Sequence, residues 1–213
     1  MDLGFHHRFE PGQTLASPTL LLLHGTGGDE NDLVGVGRSV APQANLLSVR
    51  GRVLENGMPR FFRRFAEGIF DEEDIKFRAQ ELVGFIAAAA VHYGFDAQRV
   101  IAFGYSNGAN IAGAILLLHP AALAGAILMR PMVPLVPSFV QDLSGKQILI
   151  QAGTADPMGS VSEIERLVIL LGKAGAEITV RQHHAGHGLT HEDFVEAQKW
   201  LGMYFPGTQE GSE

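Results

Sequence analysis

The apolar residues of this chain gather in strand-length runs separated by helical patterns. Runs at 19–23, 45–49, 99–103, 124–129, 147–151 and 177–183 read as strands, and most do not alternate between apolar and polar positions. Such runs suit parallel strands covered on both faces. Residues 5–10 read as an edge strand before the Pro11-Gly12 turn.

Helical patterns occupy 31–41, 71–94, 107–118, 161–172 and 191–204. The longest opens on Asp71-Glu72-Glu73-Asp74, whose charges suit the positive end of a helix dipole. Ile75, Leu82, Phe85, Ile86 and the alanines at 87–90 form its predicted core stripe, and Gly94 is its C-cap candidate. Ser160 with Glu163, and more loosely Thr190 with Asp193, predict capping boxes for the last two helices. Residues 51–70 read as irregular. Strands alternating with helices predict an α/β fold with a mostly parallel central sheet and helices on both faces. Residues 1–205 are expected to form one domain, and the polar stretch 206–213 a disordered tail.

Composition narrows the chemistry. A net charge of −7 argues against a nucleic-acid or anionic-membrane surface. The absence of cysteine removes disulfides, thiolate metal sites and a cysteine nucleophile. The apolar stretch 111–129 approaches membrane-span length, but His119-Pro120 interrupts it, so no stable membrane insertion is expected. The first residues lack the basic start and apolar run of a signal peptide, and a cytoplasmic location is the default expectation.

The strongest chemical signal is Gly104-Tyr105-Ser106-Asn107-Gly108, a G-x-S-x-G pattern between an apolar strand and a small-residue helix. A strand turning straight into a helix leaves no room for Cβ atoms beside the serine, and holds its hydroxyl at the sheet edge. The alternative is a glycine-rich helix start with Ser106 as cap. A serine nucleophile needs a base, usually an imidazole oriented by a carboxylate. Asp156 and His187 stand in loops after later strands, giving the chain order Ser, Asp, His. Asp156 before Pro157 also reads as a helix cap, although Ser160 is better placed for that role. His187, between Gly186 and Gly188, is freer to reach a neighbouring strand end than His183, His184 or His191. The same four histidines raise a metal reading, but the glycines break any helical pairing and no H-E-x-x-H pattern exists, so no metal is expected.

Acyl transfer also requires donors for a developing oxyanion. The backbone N–H of Asn107 lies beside the serine, and His24-Gly25-Thr26-Gly27-Gly28 offers a second at Thr26. The arginines and phenylalanines of 60–64 could mimic a nucleic-acid patch. On an acidic chain Phe61 and Phe62 suit a hydrophobic pocket wall or lid, as do Met132, Pro134 and Met158 from neighbouring loops, with core packing the alternative for each.

Leu23-His24-Gly25-Thr26-Gly27-Gly28-Asp29-Glu30, Gly57-Met58-Pro59-Arg60-Phe61-Phe62-Arg63-Arg64, Gly104-Tyr105-Ser106-Asn107-Gly108-Ala109-Asn110, Gly153-Thr154-Ala155-Asp156-Pro157 and Gly186-His187-Gly188-Leu189-Thr190 occur in order across nearly the whole chain. Together they resemble the phospholipase/carboxylesterase family of α/β-hydrolases, in its bacterial carboxylesterase branch. The resemblance implies the α/β-hydrolase fold with a minimal lid, and Ser106, His187 and Asp156 as nucleophile, base and orienting acid. It further implies oxyanion donors at Thr26 and Asn107, no cofactor, and a small-molecule ester substrate. Lysophospholipase or acyl thioesterase activity is the alternative, and an inactive hydrolase-fold binding protein a third. Thr26 and Asn107 depart from the leucine and glutamine of the acyl-protein thioesterases. Family analogy suggests a homodimer, on which the chain's own residues do not bear.

Overall fold

The computed structural model describes residues 3–14, 16–139 and 141–209. Its centre is a seven-stranded sheet: β1 (His7–Glu10), β2 (Thr19–Leu23), β3 (Asn45–Val49), β8 (Val100–Tyr105), β9 (Gly125–Met129), β10 (Gln147–Gly153) and β11 (Glu177–His183). The spatial order is β1-β3-β2-β8-β9-β10-β11, with β1 antiparallel to β3 and all other neighbours parallel. The predicted strands 45–49 and 177–183 form over those residues, whereas the strand expected at 99–103 runs 100–105 because residues 97–99 make a 3-10 turn.

Five helices cover the sheet: α1 (Val34–Val40), α2 (Glu72–Tyr93), α3 (Asn107–Leu118), α4 (Val161–Lys173) and α5 (His191–Tyr204). Apolar residues of α2, α3 and α4 pack on one face, and those of α1 and α5 on the other. This explains why β2, β3 and β9 are buried at every position and carry no alternation.

α2 shows how the sequence sets its own limits. Asp71 accepts from the Asp74 amide at the N-cap, and Gly94 closes the helix with a left-handed φ of 78°. Its buried stripe includes Ile75, Ala79, Leu82, Phe85, Ile86, Ala89 and Ala90, while Ala87 and Ala88 face solvent. A run of four alanines spans more than a full helical turn, so it cannot lie on one face.

Three further expectations are corrected. Residues 51–70 form two antiparallel hairpins, β4 (Val53–Glu55) with β5 (Met58–Arg60) and β6 (Arg64–Ala66) with β7 (Ile69–Phe70). Glu163 does not complete a reciprocal box: Ser160 Oγ accepts from its amide, but its carboxylate receives Arg166. The polar end of the chain is not loose from residue 206. Pro206–Thr208 make a 3-10 turn, Thr208 is buried, and Gln209 donates to the Val40 carbonyl. Residues 210–213 of the expected tail, and the first two residues, lie outside the described ones. No described helix is long and apolar enough to cross a membrane.

The strand order positions the site. From β2 the chain steps to β3 on one side, and later returns to β8 on the other. Open parallel sheets form a crevice at such a switch, beyond the carboxyl ends of the strands. The loops after β2 and β8 are those carrying Thr26 and Ser106.

Candidate active site

Ser106 follows β8 with φ 52° and ψ −112°, a left-handed backbone rare for residues with a Cβ. The turn is forced by contacts on both sides. A Cβ on Gly104 would lie 2.5 Å from the Gly108 carbonyl oxygen, and one on Gly108 would collide with the Leu23 carbonyl. The Ser106 amide donates to Met129 O at 2.9 Å, and α3 begins at the next residue. Ser106 Oγ makes no capping bond, which removes the helix-cap alternative; it lies 2.9 Å from His187 Nε2.

His187 Nδ1 in turn lies 2.8 Å from Asp156 Oδ2. Burial pushes the Asp156 carboxyl up, but hydrogen bonds from His187 and from the Met158 and Gly159 amides outweigh it and hold the group below its ordinary value. An ionised carboxylate only accepts, so His187 Nδ1 carries the proton and Nε2 accepts from the serine hydroxyl. Asp156 Oδ1 is occupied by the Met158 amide at 2.9 Å, while α4 takes its cap from Ser160.

The oxyanion candidates line the same cleft as Ser106 and His187. Among the described residues, neither the Thr26 nor the Asn107 amide has a protein acceptor. The Thr26 loop is fixed from outside: Gly27 N donates to Pro59 O at 2.9 Å, and Arg60 Nη1 to Thr26 Oγ1 at 2.6 Å. His24 anchors its base through both ring nitrogens, towards Gly25 O and from the Gly51 amide at 3.0 Å. Asn107 Oδ1 accepts from the Phe61 amide at 2.7 Å, joining the Ser106 turn to the segment after β5.

The cleft above Ser106 is a cavity of about 20 Å³ with Met132, Met158 and Phe70 in its wall. Met132 and Met158 are therefore brought to the site. Phe61 and Phe62 are not: they are 3% and 0% exposed inside the main core, with Phe61 against the His24 ring. Pro134 lines a neighbouring cleft that shares Gly68, Phe70 and Met132 with this one, and packs over Gly113. For the two phenylalanines the core-packing alternative holds, because the segment after β5 turns them inward. Of the other histidines, His183 is buried 3.3 Å from Asp193 and His184 points outward beside Thr154. Among the described residues no group of His, Asp and Glu is arranged to hold a metal ion.

Sequence reasoning missed Arg130, the residue after β9. It is fully buried with φ 52°, and pairs with Asp193 through two bonds of 2.8 Å. Its Nε donates to Gly186 O at 3.1 Å and its Nη2 to Gly188 O at 3.2 Å, bracketing His187. Tyr105 OH donates to the His187 carbonyl between them at 3.2 Å. Three successive carbonyls of the His187 loop are thus pinned by two side chains. The available signal was an arginine closing an otherwise apolar strand, where a cation must find a buried partner.

The sequence profile described as phospholipase/carboxylesterase matches residues 6–204. The chain belongs to that family. It is 47% identical over 194 residues to MhqD of Bacillus subtilis (strain 168), provisionally assigned as a hydrolase, covering 91% of this chain and 96% of that protein. The crystal structure of the Bacillus cereus carboxylesterase superposes with a TM-score of 0.93 at 49% identity, covering 95% of each chain. A carboxylesterase from Mesorhizobium loti superposes at 0.88 with 34% identity, over 95% of this chain and 96% of that one. The fold is the α/β-hydrolase fold, and the protein is related to hydrolases and carboxylesterases throughout its length.

Proposed function

We propose that this protein is a serine carboxylesterase that cleaves esters of small or short-acyl acids through an acyl-enzyme. The observation that carries this reading is the continuous hydrogen-bond chain Ser106 Oγ–His187–Asp156, with two unengaged amides in the same cleft. Ser106 Oγ attacks the ester carbonyl carbon as its proton passes to His187 Nε2. The Thr26 and Asn107 amides receive the oxyanion. Asp156 stabilises the imidazolium, which then protonates the departing alcohol oxygen. Water, activated by the same imidazole, attacks the acyl carbon and releases the acid and Ser106. The scheme requires neither metal nor cofactor.

Thr26 and Asn107, which depart from the leucine and glutamine of the acyl-protein thioesterases, favour an ester over a protein thioester.

The test is Ser106→Ala assayed with p-nitrophenyl acetate. Because the three groups act as a unit, kcat/KM should fall ~10⁴–10⁶-fold. A fluorophosphonate probe should label the wild-type chain at Ser106 and leave the variant unlabelled. Full activity in the variant, or an unlabelled wild type, would overturn the reading.

A further inference from the structure

Two arginines stand over the candidate nucleophile. Arg60 ends β5, Arg64 begins β6, and both line the cleft with Ser106 and His187. Arg60 is buried, with Nε on Phe62 O at 3.2 Å and Nη1 on Thr26 Oγ1. The side chain of Arg64 is 21% exposed and donates through Nε alone, to the Glu55 oxygens at 3.0 and 3.1 Å. Among the described residues its two terminal amino groups have no protein acceptor.

The local charge does not balance. Glu55 is the carboxylate within ion-pair reach of both arginines, 3.5 Å from Arg60 Nη1. Arg64 holds Glu55 below its ordinary value by hydrogen bonding, so its charge is already present. Burial, and then repulsion by Arg64, push Arg60 below the usual arginine value. The third arginine of the cleft, Arg130, is matched by Asp193. Asp156 lies on the far side of the His187 ring and is absent from the cleft wall. Two guanidinium groups therefore share one carboxylate above Ser106, on a chain whose net charge is −7.

Holding the hairpins together accounts for Arg64 Nε on Glu55. It leaves the terminal amino groups of Arg64 unexplained. They form a planar fork suited to a carboxylate, on a side chain that shares the cleft wall with the apolar Phe70, Met132 and Met158.

We propose that this excess guanidinium charge selects esters bearing a carboxylate close to the ester group, with Arg64 as the receiving side chain. The inference rests on the carboxylesterase reading and names the substrate class of that same site.

Two matched pairs test it, each replacing a carboxylate by isopropyl. Monomethyl succinate is compared with methyl 4-methylpentanoate for the acyl side, and acetoxyacetate with isobutyl acetate for the alcohol side. The ratio of kcat/KM within a pair is internal to each protein, so partial loss of folded enzyme cancels. In at least one pair the wild type should favour the anionic ester by about tenfold or more, the worth of a charge-assisted hydrogen bond. Arg64→Gln should bring that ratio close to one, and Glu55→Gln should raise it. A wild-type ratio of one or less in both pairs overturns the inference, as does a ratio that Arg64→Gln leaves unchanged. Fluorophosphonate labelling separates the two failures. A labelled wild type without anionic preference sinks the specificity alone, whereas an unlabelled wild type that hydrolyses none of the four esters sinks the carboxylesterase reading and this inference with it.

Discussion

Replacing Arg130 by lysine separates charge from reach. The guanidinium makes five bonds of 2.8–3.3 Å: two to Asp193, and one each to the carbonyls of Gly186, Gly188 and Gln151. A lysine keeps a positive charge opposite Asp193, but its single ammonium has three donors at one point. It cannot serve Asp193 and both carbonyls flanking His187. Losing two bonds from a charged donor at roughly 1.5 kcal/mol each or more gives about 3 kcal/mol of destabilisation. In a domain of this size that is a fall of about 6–12 °C in Tm. The loop that carries His187 would relax, and a displacement of about 1 Å in a catalytic group costs on the order of 10²-fold in rate. The expected result is a folded Arg130→Lys protein with kcat lowered by about 10–100-fold and KM within a factor of about three, because the oxyanion amides and the rest of the cleft wall are untouched and lysine keeps the positive charge at this position. The double variant Arg130→Met/Asp193→Leu removes the pair without leaving a lone buried charge but also removes the carboxylate that accepts from the Thr190 amide and hydroxyl, so it should recover part of the stability and none of the activity. Wild-type kcat and pH profile in either variant would show that the base loop is held by something other than Arg130.

Three shorter predictions concern neighbouring elements. Asp156→Asn leaves the shape of the site and disturbs the His187 tautomer, so kcat should fall about 10⁴-fold while the thermal transition stays cooperative. Gly108→Ala places a methyl against the Leu23 carbonyl, and overpacking of this kind costs about 1–3 kcal/mol; an unshifted urea midpoint with full activity would contradict the account of the turn. Burial lowers the His24 pKa, and its Nε2 accepts from the Gly51 amide, a bond only the neutral ring can receive. Since the folded value lies below the ordinary 6.5, this contribution is complete above pH 6.5 and is lost as pH falls from there through the folded value. The urea midpoint should therefore drop below that pH, and less steeply in His24→Gln.

The sheet and helices were legible because their signals are local. Apolar runs mark the buried strands, and Asp71, Gly94 and Ser160 mark helix ends. Ser106, Asp156 and His187 were legible because small residues and turn signals at strand ends expose chemistry-bearing side chains. The β4–β5 hairpin was missed although its turn is Asn56-Gly57, with φ of 53° and 81°. Pro59 inside a three-residue strand hid the pattern, and is tolerated in this isolated two-stranded ribbon. Phe61 and Phe62 were misplaced because aromatic residues between arginines look the same whether they line a pocket or fill a core. Arg130 with Asp193 was invisible for a different reason. The two lie 63 positions apart, and no local pattern announces a buried pair across that separation.

The geometry of the site follows from the ladder beneath it. At the carboxyl ends of adjacent strands, each chain makes one further backbone bond sideways: Ser106 N to Met129 O, Arg130 N to Gln151 O, and Thr154 N to His183 O. These bonds fix Ser106, the arginine that brackets the His187 loop, and the start of the Asp156 loop to one another across β8, β9, β10 and β11. Ser106 and Arg130 both carry φ near 52° at their strand ends. Such backbone costs on the order of 1–3 kcal/mol at each residue and persists only where its surroundings over-determine it. Here the determining contacts are known. Gly104 and Gly108 close on the serine turn, and the buried Asp193 pair holds the arginine. Relieving the strain at either position therefore should not improve the enzyme. Arg130→Gly suits the left-handed backbone better than arginine does. It should still lose both stability and turnover, because the bonds to Asp193, Gly186 and Gly188 outweigh the relief. A more stable and equally active Arg130→Gly protein would mean that the turn, and not the side chain, sets the position of His187.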